Sequence, residues 1–109
     1  MNGVTLDAGA LIALDRNDRR VVALITGSAE RGVPVTIPAT ALAQAIRNPA
    51  RQVRLTRLMR QPGTHLVHLD GPGATATGRL LAATRTSDIA DAHVVVCARR
   101  AGQIGRAHV

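Results

Sequence analysis

The seven carboxylates are the residues of this chain best suited to chemistry, and they are unevenly placed. Asp7 follows a short apolar run, whereas Asp88 and Asp91 stand three residues apart at the start of a predicted helix. Residues at that spacing share one helix face, so two carboxylates can point the same way. In open parallel α/β sheets the binding crevice lies outside the carboxyl ends of the strands. We therefore expect Asp7, Asp88 and Asp91 to converge on one site.

A site of this kind suits a hard divalent cation. Crowded carboxylates repel each other and raise each other's pKa, and a bound cation removes that penalty. Ligands that are all oxygen favour Mg²⁺ or Mn²⁺, which can polarise a phosphate and activate water for hydrolysis. Each acid also has a simpler interpretation, since Asp7 or Asp88 could be only a helix N-cap and Asp91 only a solvated first-turn acid. These alternatives stay open on the spacing alone.

The elements that must position these acids alternate along the chain. Apolar periodicity and turn residues predict the order β-α-α-β-α-α-β-α-α. Strands are expected at 4–6, 33–37 and 66–69, and helices at 8–14, 18–31, 38–46, 50–60, 71–83 and 88–100. Short apolar strands that alternate with helices predict an α/β fold, a three-layer αβα sandwich with a central parallel sheet.

Composition limits the size and the partners of the protein. The 109 residues suffice for one domain, and the core must be aliphatic because the chain contains no Phe, Tyr or Trp. All 14 basic residues are arginine, and the net charge of +7 suits a polyanion or an acidic protein, although a GC-rich gene would also favour arginine. The lone Cys97 predicts a small buried side chain. No segment suits a signal peptide or a membrane span, so we expect a soluble cytoplasmic protein.

Two motifs resemble those of the PIN-domain family, in particular its VapC-like toxins. VTLDAGALI at residues 4–12 resembles the family's opening, in which a strand delivers the first catalytic aspartate. TSDIADAH at residues 86–93 resembles its later acidic motif at a helix start. The motifs occur in the family's order and at about its separation, and the resemblance spans residues 3–103.

The resemblance implies a metal-dependent endoribonuclease, the toxin of a type II toxin–antitoxin system. Carried onto this chain, it makes Asp7, Asp88 and Asp91 the catalytic and Mg²⁺- or Mn²⁺-binding set. Thr86 or Ser87 could add a polar contact to metal-bound water or phosphate. It also implies an RNA substrate, a cognate antitoxin protein and a homodimer. The predicted helix over residues 50–60 could contact RNA or antitoxin through Arg51, Arg54 and Arg57, although such a stripe is often only a solvated face.

Two features depart from the family pattern. Gln44 stands where many PIN domains carry a glutamate, and an amide can coordinate a cation but brings no charge. Residues 104–109, IGRAHV, do not resemble a buried strand and match one reading frame of a common sequencing adapter. We therefore expect a PIN-like domain over residues 1–103, a non-native tail over 104–109 and a sheet that lacks its last strand.

Other functions remain open from the sequence. The main alternative is a catalytically weak or inactive PIN-like module that binds RNA or antitoxin, with Gln44 marking the decayed site. A receiver-like phosphoacceptor domain would need a lysine on a late strand, and the chain has no lysine. His93 lies close to Asp91, but a helical histidine packed at the edge of the core is favoured over a ligand.

Overall fold

The computed structural model describes residues 3–102 and the backbone of residues 104–106. The nine predicted elements are present in the predicted order, and a tenth follows them. They are β1 (Val4–Leu6), α1 (Ala8–Asp15), α2 (Arg19–Glu30), β2 (Val35–Pro38), α3 (Ala39–Ala45), α4 (Val53–Met59), β3 (Thr64–Val67), α5 (Gly71–Thr84), α6 (Ile89–Ala101) and β4 (Ile104–Arg106).

The strands form one parallel sheet in the order β3-β2-β1-β4. Val4 pairs with Val35 of β2 on one side and with Ile104 of β4 on the other, so β1 is a central strand. The expectation that the sheet lacks its last strand is therefore wrong, because the backbone of Ile104–Arg106 occupies that position. A short stretch can pair through its main chain whatever its side chains are, and this possibility was missed. Gln103 and the tail residues 107–109 lie outside the described residues.

Helices cover both faces of the sheet. Helix α6 packs across β1, β2 and β4, whereas α1 contacts β1 and α4 contacts β3. The chain moves from β1 through β2 to β3 and then returns past β1 to β4. Right-handed crossovers in these opposite directions place α1, α2 and α4 on one face and α5 and α6 on the other, and α3 contacts both α1 and α6. The α/β, three-layer prediction is confirmed.

The core is aliphatic, as the composition requires. Leu6, Leu11 and Ile37 are fully buried at 0% exposure, and each contributes roughly 1.5 to 3 kcal/mol by leaving water. His93, at 1% exposure, brings an imidazole ring into this interior. Cys97 is buried, as predicted, and burial raises the pKa of its thiol. Within residues 3–102, no helix is both long and apolar enough to cross a bilayer.

Aspartates begin four of the helices in the described part of the chain. Asp7, Asp18, Asp70 and Asp88 are the N-caps of α1, α2, α5 and α6, and the side chain of each accepts a hydrogen bond from a backbone N–H in the first turn. Such a cap stabilises a helix by about 1 kcal/mol. More than half of the acids therefore have a structural role, whatever else they do.

Three elements begin two or more residues from their predicted positions, and one of them is β2, which begins at Val35 rather than 33. Strand β3 begins at Thr64 rather than 66, because its pairing with β2 starts at the turn, where the N–H of Val35 donates to the carbonyl of Gly63 at 2.8 Å. Helix α4 begins at Val53 rather than 50. The preceding turn is held by Gln52, whose side-chain oxygen accepts from the N–H groups of Arg47 and Asn48.

Candidate active site

Asp7 lies at the carboxyl end of the central strand. It follows β1 directly, is half-buried, and its Oδ1 accepts a hydrogen bond from the N–H of Ala10 at 2.8 Å. This bond fixes the carboxylate at the junction of β1 and α1. The cap uses one carboxylate oxygen and leaves Oδ2 available to a further ligand.

Asp88 and Asp91 lie together at the start of α6. Oδ1 of Asp88 accepts from the N–H of Asp91 at 3.0 Å, so Asp88 is the N-cap and Asp91 belongs to the first turn. Both side chains are exposed. Asp88 therefore resembles Asp7 in geometry, with one oxygen held by the backbone of a helix start and the other unused by the cap.

Asp91 links the three acids electrostatically. Partial desolvation raises the pKa of its carboxyl group, followed in importance by the charge of Asp88, a side-chain hydrogen bond with Asp88 and the charge of Asp7. Helix α6 contacts β1, and the charge of Asp7, which directly follows β1, contributes to the raised pKa of Asp91. Within the described residues, however, no three acidic, His or Cys side chains are close enough to hold a metal ion as a group.

The donor chemistry of this end of the sheet fits Mg²⁺ or Mn²⁺. The available ligands are carboxylate and amide oxygens, which suit hard cations. Mg²⁺ in particular usually keeps several waters and binds through one or two carboxylates together with a substrate phosphate. A pair of carboxylates with a third negative charge nearby is compatible with such binding.

Gln44 borders the same region from α3. It is exposed and lines a depression of about 530 Å³ together with Thr40, Ser87 and Asp88. The structure thus brings Gln44 and Ser87 close to Asp88. Thr86 instead pairs its hydroxyl with that of Thr84 at 2.9 Å and does not line this depression.

A partly buried hydrogen bond between α3 and α6 lies beside the depression. Oγ1 of Thr40 and Nδ1 of His93 are 2.6 Å apart. Burial lowers the pKa of His93; the charge of Arg100 adds to this effect and that of Asp70 opposes it. The expectation that His93 packs in the core is confirmed. Its partner was missed, because nothing in the sequence connects two residues so far apart.

The predicted basic stripe is on the surface. Arg51, Arg54 and Arg57 are all exposed, and Nη1 of Arg54 donates to the carbonyl of Asp15 at 3.3 Å. Two other arginines lie nearer to Gln44. Arg16 and Arg47 line a second depression, of about 300 Å³, that also includes Gln44. Nothing in the sequence singles out this pair, because the two residues come together only through the packing of α1 against α3.

The fold has a known counterpart, although the sequence matches no protein-family model and no curated protein. The structure is similar to the crystal structure of VapC20 from Mycobacterium tuberculosis, described as a sarcin–ricin loop cleaving toxin. The TM-score is 0.68 at 14% identity, and the match covers 93% of this chain and 85% of the other. The chain therefore has a VapC-like PIN fold.

Proposed function

We propose that this chain is a metal-dependent endoribonuclease of the PIN type and the toxin component of a type II toxin–antitoxin system. The fold supports the family, since the similar VapC20 is described as a toxin that cleaves the sarcin–ricin loop. RNA is accordingly the substrate class that we propose. The net charge of +7 is consistent with a polyanionic substrate.

The observation that carries the proposal is the VapC-like fold, with Asp7 directly after β1 and with Asp88 and Asp91 at the start of α6. The charges of Asp88 and Asp7 both raise the pKa of Asp91. Like charges held together cost free energy, and proteins tend to keep such arrangements where they serve a function. A divalent cation would turn this repulsion into attraction.

The proposed roles follow from the position of each side chain. Two of the carboxylates of Asp7, Asp88 and Asp91, with the third nearby, would hold Mg²⁺ or Mn²⁺, and the bound ion would supply a Lewis acid and a more acidic water for attack on a phosphodiester. The caps at Asp7 and Asp88 hold their carboxylates still before any ligand arrives. Gln44 and Ser87, on the two sides of the depression, can donate or accept hydrogen bonds at an RNA phosphate.

The proposal includes partners that follow from the family likeness. Arg51, Arg54 and Arg57 present guanidinium groups to solvent, where they can contact RNA phosphates or an acidic antitoxin. A homodimer and a cytoplasmic location are proposed on the same basis.

An RNA cleavage assay tests the reaction. The purified chain should cut a structured RNA containing a sarcin–ricin-type loop in Mg²⁺ or Mn²⁺, and should not cut it in EDTA. Asp91→Asn should abolish cleavage, whereas Glu30→Gln, an exposed acid at the end of α2, should not. Cleavage that survives EDTA, or an Asp91→Asn variant as active as the parent chain, would refute the mechanism.

A non-catalytic binding module is the second candidate. It is favoured by an amide, Gln44, at a position where a carboxylate would add charge, and by the lack of a compact three-ligand group in the described residues. This alternative expects the RNA to bind with similar affinity in Mg²⁺ and in EDTA and to remain intact in both. A gel-shift assay run beside the cleavage assay separates the two functions.

A further inference from the structure

The hydrogen bond between Thr40 and His93 joins the two walls of the depression that contains Asp88. Thr40 lies in the first turn of α3 and itself lines the depression. His93 lies on α6, five residues after the N-cap Asp88, and is 1% exposed. The 2.6 Å contact therefore joins a buried imidazole to a half-buried hydroxyl, on elements that are distant in sequence.

The same two helices carry the polar groups of the candidate site. Gln44 lies one helical turn after Thr40, and residues at that spacing share a helix face. Ser87, Asp88, Ile89 and Ala90 form the opposite wall of the depression. A change in the separation of α3 and α6 at Thr40 would therefore change the distance between Gln44 and Asp88 directly.

Aliphatic packing alone would fix this separation poorly. The neighbouring residues Ala41, Ala45, Ala90 and Ala92 are buried, and their side chains are too small to interdigitate deeply. A hydrogen bond has a narrow range of length and angle, and a buried imidazole nitrogen without a partner is costly. The bond thus sets a spacing that the apolar contacts do not.

We propose that His93 and Thr40 are positioning residues, whose hydrogen bond sets the distance across the candidate site between Gln44 on α3 and Asp88 on α6. This inference rests on the proposed function, because it assigns a role to the pair in cation binding. Neither residue needs to touch the cation or the RNA. Removing a group that orients a metal ligand without itself binding the metal typically lowers metal affinity or activity by about 10- to 100-fold.

Matched threonine variants test the proposal. Thr40→Val removes the hydroxyl at nearly constant shape, and Thr40→Ser keeps it. Thr77→Val is the control, since Thr77 is 2% exposed on α5, and none of the described residues forms a hydrogen bond with its buried hydroxyl. The measurements are Mn²⁺ affinity by calorimetry, kcat and KM for RNA cleavage, and the melting temperature without metal.

We expect Thr40→Val to weaken Mn²⁺ binding by about tenfold or more and to lower kcat more than it raises KM. Thr40→Ser should restore both values, and Thr77→Val should leave them unchanged. If Thr40→Val binds Mn²⁺ like the parent chain while Asp88→Asn does not, the inference fails and the proposed function stands. If the parent chain does not bind Mn²⁺, both fail.

A measurement on the unsubstituted protein does not depend on the folding of any variant. A long-range ¹H–¹⁵N NMR spectrum reports which imidazole nitrogen carries the proton. A fixed hydrogen bond at Nδ1 should hold His93 in a single tautomer at neutral pH. A mixture of tautomers in rapid exchange would show that the bond does not set the helix spacing, and would overturn the proposal.

Discussion

The four aspartate N-caps allow the structural and metal-binding roles of Asp7 and Asp88 to be separated. Asn is about as good an N-cap as Asp, so an Asp→Asn change keeps the cap hydrogen bond and removes the charge. The same change at Asp18 and Asp70 serves as a matched control. These two residues cap α2 and α5 in the same way, with hydrogen bonds of 2.9 and 2.7 Å from backbone N–H groups.

The expected magnitudes differ enough to be measured. Each Asp→Asn change removes only the favourable interaction of a charge with the helix dipole, about 0.3 to 1 kcal/mol. A cation present at 100 times its dissociation constant stabilises the folded state by about 2.7 kcal/mol. For a domain of this size, that is a rise in melting temperature of roughly 10 to 20 °C.

Thermal unfolding followed by far-UV circular dichroism, with and without Mn²⁺, is the assay. All four variants should melt within a few degrees of the parent chain without metal. The Mn²⁺-dependent rise should persist in Asp18→Asn and Asp70→Asn and be absent in Asp7→Asn and Asp88→Asn. A rise that survives in Asp7→Asn or Asp88→Asn, or one that disappears equally in all four variants, would refute the assignment of the cation to this end of the sheet.

The other predictions concern the amide at the site, the core, the pH dependence of stability and the RNA-binding surface. Gln44→Glu should tighten Mn²⁺ binding at least about fivefold, because a charge at contact range contributes roughly 1 kcal/mol or more; unchanged or weaker binding by calorimetry would remove Gln44 from the site. Leu11→Ala, at 0% exposure, should cost about 2 to 5 kcal/mol in urea unfolding; a decrease of under about 1 kcal/mol would contradict the described core. Because the pKa of Asp91 is raised, the folded state binds the proton of this carboxyl group more tightly than the unfolded chain does. Without metal, the free energy of unfolding should therefore fall as the pH rises from 3.8 through the pKa of the folded state. In urea titrations at several pH values, Asp91→Asn should reduce this dependence of stability on pH. An unchanged dependence would show that Asp91 is not its cause. Replacing Arg16 and Arg47 together by Gln should reduce the salt slope of RNA binding by about one unit for each phosphate that these arginines neutralise in the parent chain; an unchanged slope would place the RNA elsewhere.

The order of the elements could be predicted well because apolar periodicity and turn residues are local signals. The strand before Asp7 and the helix after Asp88 occur within a residue or two of their expected positions. Strand β4 was missed, because pairing through the main chain leaves little trace in the side chains. Whether residues 104–109 belong to the gene stays a prediction, and the same peptide encoded in an independently sequenced intact locus would refute the adapter origin.

The N-cap roles of Asp7 and Asp88 could be predicted from the sequence, whereas their assignment as metal ligands stays a prediction. Asp7 and Asp88 were identified both as candidate ligands and as candidate N-caps, and the structure shows that the cap role holds for each. The bond between Thr40 and His93, and the turn held by Gln52, depend on residues that meet only after the helices pack. No periodic pattern encodes such contacts.

The central position of β1 has a consequence for the order of events during synthesis. Val4 pairs with Ile104, so β1 completes its hydrogen bonding only after roughly 5 to 20 seconds of further translation. During that interval, Asp7 and Asp91 belong to segments of the nascent chain that have not yet packed together. If the acids do form a nuclease centre, a ribosome-bound chain is harmless to the RNA around it until almost all of the domain has been made.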